Sequence, residues 1–149
     1  MSDVAKVKSI RETTGLSVGR INQALAEAGG DEAKALAILE ASGVAIAQKK
    51  SGRELKQGVV ASYIHSNKKI GVLVVLGSET DFVARNPEFI NLANDLAMQI
   101  AAMQPKDVPA LLAQPYIKEA NITVGDLITQ AVAKLGENIQ VGEFARFSI

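Results

Sequence analysis

Apolar positions along the chain change rhythm near Gly58. Before it they recur every three or four residues, the repeat of one helix face, and after it they run in the short, nearly continuous blocks of strands. In the first part Val4, Val7 and Ile10 form a stripe that ends at Thr13-Thr14-Gly15. Ser17 is placed to cap a second helix with Val18, Ile21, Leu25 and Ala28 on one side, stopped by Gly29-Gly30. Asp31 is a natural N-cap for a third helix, whose Leu36 and Leu39 face inward and which Gly43 is expected to end. Helices of about ten residues are marginal singly, so these three are expected to bury their stripes together as a bundle, an arrangement that usually binds partners. Residues 45–55, with Lys49, Lys50, Ser51, Gly52 and Arg53, then turn polar and basic. That segment reads as a linker or an exposed helix, and its lysine pair either meets an acidic partner or is solvated. The domain boundary is placed there, giving residues 1–50 and 51–149.

In the second part residues 59–65 are rich in β-formers, residues 66–69 make a polar turn, and residues 70–76 are almost unbroken apolar with three valines. A β-hairpin is the simplest reading, its second strand covered on both faces. Asn86-Pro87 then opens a long helix carrying Phe89, Leu92, Ala93, Leu96, Ile100 and Met103 on one face, stopped by Pro105. That stripe should cover the hairpin. Residues 105–115 connect to Tyr116, and Thr123-x-x-Asp126 resembles a capping box for a further helix with Leu127, Ile128, Ala131 and Leu135 inward, ended by Gly136. Ile139, Val141, Phe144, Ala145 and Phe147 suggest a closing strand with a bulge at Glu143-Phe144. The predicted fold class is α+β: a three-helix bundle, then a small antiparallel sheet of about three strands covered by helices.

Composition narrows the function. Of 149 residues 48% are hydrophobic, enough to fill a core, and sixteen basic residues balance sixteen acidic ones. No overall field draws such a chain to nucleic acid or anionic lipid, so a protein partner is favoured. No cysteine is present, which excludes disulfides and thiolate chemistry and fits a reducing compartment. No apolar segment approaches the roughly 20 residues that span a bilayer. Met1-Ser2-Asp3-Val4 shows neither a signal-like apolar core nor an Arg-rich transit pattern, so the cytoplasm is the expected location.

Catalytic constellations are weak. His65 is the single histidine, Glu79 and Asp81 form a carboxylate pair without an implied pocket, and Gly71 and Gly77 lack the Lys-Ser/Thr that would grip a phosphate. No cofactor or metal is expected, and an enzyme, for instance a small hydrolase using His65, Glu79 and Asp81, is the minority reading. The most informative stretch is residues 77–87, where Asp81-Phe82 stands between an apolar strand and a helix start. Phe82 there either plugs a core or is offered to a partner.

The order of motifs resembles elongation factor Ts, the guanine-nucleotide exchange factor family for elongation factor Tu. Arg11-Glu12-Thr13-Thr14-Gly15 is similar to its N-terminal signature, residues 43–50 to its small-residue run ending in two lysines, residues 80–86 to its TDFVAR element, and residues 134–139 to its KIGENI element. The resemblance implies a ubiquitin-associated-like bundle that docks on elongation factor Tu, followed by an exchange core. It implies that Thr80, Asp81, Phe82 and Val83 form the exchange loop, with the Phe82 ring entering near the partner's magnesium and phosphate site. Arg11, Val18, Gly19, Leu135 and Gly136 match further partner-binding positions. Three departures stand out. Val18-Gly19-Arg20 replaces two methionines and an acid, Ser78 replaces a cysteine, and about a dozen residues remain where many relatives carry a long insertion or second core half before Gln114. A single core half leaves sheet surface to cover, so a homodimer pairing through the sheet is expected. A binding module without exchange activity is the other reading, and a buried Phe82 would be its mark.

Overall fold

The computed structural model describes residues 3–149; Met1 and Ser2, part of the N-terminal reading, lie outside the described residues. The fold is α+β. Helices α1 (Asp3–Thr14), α2 (Val18–Glu27) and α3 (Glu32–Lys50) form the N-terminal bundle around Ile10, Leu16, Ile21, Ala24, Leu25, Ala35 and Leu39. Its local stops and starts follow the expected chemistry. Gly15, at φ 68°, donates its N–H to the Arg11 carbonyl at 2.8 Å, and Gly30, at φ 84°, donates to Leu25 at 2.8 Å. The Ser17 hydroxyl accepts from the Arg20 amide, and the Asp31 carboxylate accepts from the Lys34 amide.

One boundary differs from expectation. Helix α3 does not end at Gly43 but continues for seven more residues to Lys50, so residues 45–50 are helix rather than linker. Gly43 is buried, and a Cβ on it would stand 3.4 Å from the Ala133 Cβ. The glycine marks where another helix crosses α3; the ~1 kcal/mol it costs in helix propensity is offset by that close packing.

The core sheet has strand order β1-β2-β5, both pairs antiparallel, from β1 (Gln57–Ile64), β2 (Ile70–Ser78) and β5 (Gln140–Ser148). Val74 pairs with Phe144 and Leu76 with Val141, so Gly142 and Glu143 together oppose Val75: the strand is bulged, one residue earlier than the expected Glu143-Phe144. Ala61, Val72, Val74, Leu76 and Val141 point to one face and pack in the same apolar cluster as Phe89, Leu92, Leu96 and Ile100 of α5 (Pro87–Met103). Burying side chains of this size contributes about 1.5–3 kcal/mol each. The other face is open. Leu73 is 54% exposed and Phe147 74%, with Val60 and Ile64 beside them. β2 is therefore not covered on both faces, because α5 packs on one side only and an apolar run does not say where its cover comes from. Met103, placed on the inward stripe of α5 by its spacing, is also exposed, one residue before the helix ends in Gln104 at φ 48°.

Between α5 and the last helix the chain makes α6 (Val108–Ala113) and a two-stranded ribbon, β3 (Pro115–Tyr116) with β4 (Glu119–Thr123), neither of which the apolar spacing indicated. Gln99, fully buried on α5, holds this ribbon: its amide donates to the Pro115 carbonyl at 3.1 Å and its oxygen accepts from the Ile117 N–H at 3.0 Å. Tyr116 donates to Asp95 at 3.2 Å, and burial followed by the Asp95 carboxylate pushes its phenol up to about 12. Helix α7 (Val124–Leu135) opens with the expected Thr123–Asp126 capping box and ends at Gly136, φ 81°. The bundle joins the core along this helix, with Gly43 of α3 against Ala133 and further contacts at its last turn. Arg20 donates to the Ala133 carbonyl at 3.0 Å, Lys50 donates to the Gly136 carbonyl, and Ile46 and Ala47 of α3 pack on the core cluster. These cations meet the partial negative charge at a helix C-terminus.

Candidate functional site

Asp81-Phe82 is not in an irregular loop but on a single helical turn, α4 (Asp81–Ala84). Thr80 is its N-cap, its hydroxyl oxygen accepting from the Val83 amide at 3.3 Å. A helix advances about 100° per residue, so neighbours on this turn face different ways. Val83 is 5% exposed and Ala84 is buried with it in the core cluster, while Phe82 is 85% exposed. Val83 thus anchors the turn rather than offering a surface, and Phe82 projects from it. Asp81 and Arg85, four apart and both accessible, form an ion pair at 2.7 Å beside the ring. An 85% exposed phenylalanine has almost no packing inside the chain.

The turn is held from below by hydrogen bonds that join two distant segments. Glu137, just beyond the end of α7, accepts from the Glu79 amide at 3.2 Å, the Thr80 amide at 3.0 Å and the Thr80 hydroxyl at 2.7 Å. Glu79 returns the arrangement, accepting from the Asn138 amide at 2.7 Å and pairing with Arg53 at 3.6 Å. The buried Asn138 side chain donates to the Arg53 carbonyl at 2.8 Å, and Ser78, fully buried, donates its hydroxyl to the Thr80 carbonyl at 2.9 Å. Glu79, Glu137 and Asn138 were not among the residues picked from sequence as partner contacts. The signal available was their position, directly flanking Thr80 on one side and Leu135-Gly136 on the other.

Of the other residues singled out, Leu135 is half-buried against the core and Gly136 is exposed next to Glu137, so this pair lies on the same bonded unit as the Phe82 turn. Arg11, Val18 and Gly19 are exposed on α1 and α2 of the bundle, and a Cβ at Gly19 would meet nothing within 4 Å. A groove of about 330 Å³ runs between bundle and core, lined by Thr13 and Thr14 of α1, Glu88 and Asp95 of α5, and Lys134 and Leu135 of α7. Lys134 crosses its edge to Glu88 at 3.1 Å.

The hydrolase reading fails on geometry. His65 follows the end of β1 that pairs with Gly71, whereas Glu79 follows the end of β2 that pairs with Gln57. The eight-residue ladder between them spans roughly 25 Å. His65 instead shares a 2.9 Å hydrogen bond with the Tyr63 hydroxyl. No helix among the described residues is long and apolar enough to cross a membrane.

Comparison with known proteins agrees with the motif order. Residues 79–149 match the family model described as "Elongation factor TS". Elongation factor Ts of Fervidobacterium nodosum is 41% identical over 188 aligned positions, covering 96% of this chain and 95% of the relative. That of Thermodesulfovibrio yellowstonii is 42% identical over 187 positions, covering 96% and 94%. Because 188 aligned positions exceed the 149 residues here, the first relative has at least 39 residues without a counterpart in this chain. Identity at this level over nearly the whole of both chains is decisive: the chain belongs to the elongation factor Ts family and has that family's role in translation elongation.

Proposed function

We propose that this protein binds elongation factor Tu and promotes GDP release, with residues 1–50 as a docking unit and residues 51–149 as the exchange core. The observation that carries the reading is Phe82, a large apolar side chain left 85% exposed on a turn that is otherwise firmly bonded. Covering that ring on a partner is favourable, and aromatic anchors at interfaces typically cost ~2–4 kcal/mol when truncated. The same ring, inserted beside the partner's magnesium and phosphate site with Asp81 next to it, disfavours the nucleotide-loaded state. Linkage then requires that tighter binding to empty than to loaded partner weakens nucleotide binding by the same factor, tenfold for each ~1.4 kcal/mol. Such a protein makes and breaks no covalent bond and is not an enzyme in the usual sense. Leu135 and Gly136 contact the partner beside the turn, while Arg11, Val18 and Gly19 contact it from the bundle. The role belongs in the cytoplasm, where elongation takes place.

The decisive experiment follows release of a fluorescent GDP from elongation factor Tu, with intact protein and with Phe82→Ala. Acceleration by the intact protein and its loss in the variant, by roughly thirtyfold to a thousandfold for the cost above, is the expected result. No acceleration by the intact protein ends the reading and leaves a binding module.

The open face of the sheet favours a homodimer as the working form. Val60, Ile64, Leu73 and Phe147 expose apolar surface side by side, and a second copy presenting the same face is the simplest cover. Sedimentation should give a dimer, and Leu73→Lys a monomer. A monomeric intact protein at micromolar concentration would refute this.

A further inference from the structure

We infer that Glu137 is a positioning residue for exchange, fixing the angle at which the Phe82 turn meets the partner. The inference rests on the exchange reading above and concerns a residue that touches neither nucleotide nor, in that reading, the partner. A four-residue helix cannot hold its own shape, because one turn gains too few hydrogen bonds for the backbone it orders. Val83 and Ala84 anchor its inner side and the Ser78 hydroxyl holds the Thr80 carbonyl, which leaves the Glu79 and Thr80 amides and the Thr80 hydroxyl to be fixed by another group. Glu137 is that group. One carboxylate oxygen accepts the Glu79 and Thr80 amides, and the other accepts the Thr80 hydroxyl, whose oxygen in turn caps the Val83 amide. A chain of hydrogen bonds therefore runs from the residue after Gly136 to the residue after Phe82. Since Leu135-Gly136 immediately precedes Glu137, the same carboxylate sets the spacing between the two elements proposed to touch the partner's nucleotide domain. Glu79 closes the pair from the opposite direction through the Asn138 amide, so neither loop can shift alone.

The test measures GDP release from elongation factor Tu as a function of exchange-factor concentration, separating the maximal rate from the half-saturating concentration. Glu137→Ala should lower the maximal rate roughly tenfold, as expected when the two amides and the hydroxyl lose the acceptor that fixes them and turn to water instead. The half-saturating concentration should stay within about twofold, because the bundle is untouched. Glu137→Gln keeps an amide oxygen for the two N–H groups and should recover most of the rate. On a Phe82→Ala background Glu137→Ala should cost nothing further, since a residue that acts by aiming a ring has no effect once the ring is gone. Thr80→Val, which removes the hydroxyl but leaves Glu137, is the second variant should Glu137→Ala fail to fold, and it should lower the maximal rate in the same way. Amide exchange at Thr80 and Val83 gives an activity-free readout: both amides should be protected in the intact protein and exposed in Glu137→Ala. A Glu137→Ala protein with the intact maximal rate, or an additive loss on the Phe82→Ala background, overturns the positioning role while leaving the exchange reading in place. Failure of the intact protein to accelerate release overturns both.

Discussion

The Phe82 turn is four residues long and is tied by Thr80 to a carboxylate fifty-seven positions away, whereas the N-terminal bundle holds itself around its own cluster of Ile10, Ile21 and Leu39. Both present side chains proposed to meet the same partner. A turn so short buries too little apolar area to hold its shape, so its geometry is borrowed through polar groups from another part of the chain. The bundle has an apolar cluster of its own, and it meets the core where α3 crosses α7 at Gly43 and Ala133 and where Ile46 and Ala47 pack on the core. The contrast separates two requirements. A wedge must be held at one angle, while a docking surface needs only to be rigid and attached.

Breaking the bundle alone should have the largest effect on stability. Ile21 is fully buried there, and Ile21→Ala should cost about 2–5 kcal/mol. Urea unfolding followed at separate probes in bundle and core should show the bundle lost first, with binding to elongation factor Tu weakened and the maximal release rate kept. Simultaneous loss at both probes would show that the bundle depends on the core and would remove the contrast.

The core side can be probed through pH. Tyr116 is the last residue of β3, paired with Glu119, and its phenol is raised to about 12 in the folded chain from an ordinary value of 10. Folding therefore favours the neutral phenol. That stabilisation is fully present below pH 10 and is lost as pH climbs from 10 through about 12. Tyr116→Phe should lack this loss, so chemical denaturation of the two proteins at pH 8 and pH 11 should show intact protein losing more than the variant. Equal losses would mean that the phenol is not buried beside Asp95 in solution.

The smallest effect should come from the joint. Arg20 gives one hydrogen bond to Ala133, but its second terminal nitrogen is buried without a hydrogen-bond partner, and the two offset each other. Arg20→Ala should change stability by about 1 kcal/mol or less, a shift of a few degrees at most in thermal unfolding. A loss above about 3 kcal/mol would show that bundle and core are one cooperative unit joined through this side chain.

Much of the fold was legible because it depends on local chemistry. Ser17, Asp31, Asn86 and Thr123 are N-caps as their sequence context indicated, and Gly15, Gly29-Gly30 and Gly136 end helices at positive φ. Gly43 misled for a reason that pattern reading cannot reach: the same residue ends a helix or admits a neighbouring one, and only the crossing with Ala133 decides between them. The apolar run of β2 likewise showed that a strand wants cover, not that its cover is missing on the Leu73 side. The β3–β4 ribbon escaped notice because its hydrogen bonds go to Gln99 and Asp95, on α5, whereas α6 did carry a local signal in its Asp107 N-cap and Pro109.

By itself the sequence determined the helical first third, the antiparallel hairpin, the capped helices that follow, the absence of cysteine chemistry and the motif order that marks the family. These rest on backbone preferences and spacings that act over a few residues. Only the tertiary structure decided that Phe82 points outward while Val83 points in, that one sheet face is bare, and that Glu137 sits beneath Thr80. Those are statements about which surfaces meet. Contacts between residues fifty or more positions apart are chosen by packing and by the need to satisfy buried polar groups, which no local window of the chain contains.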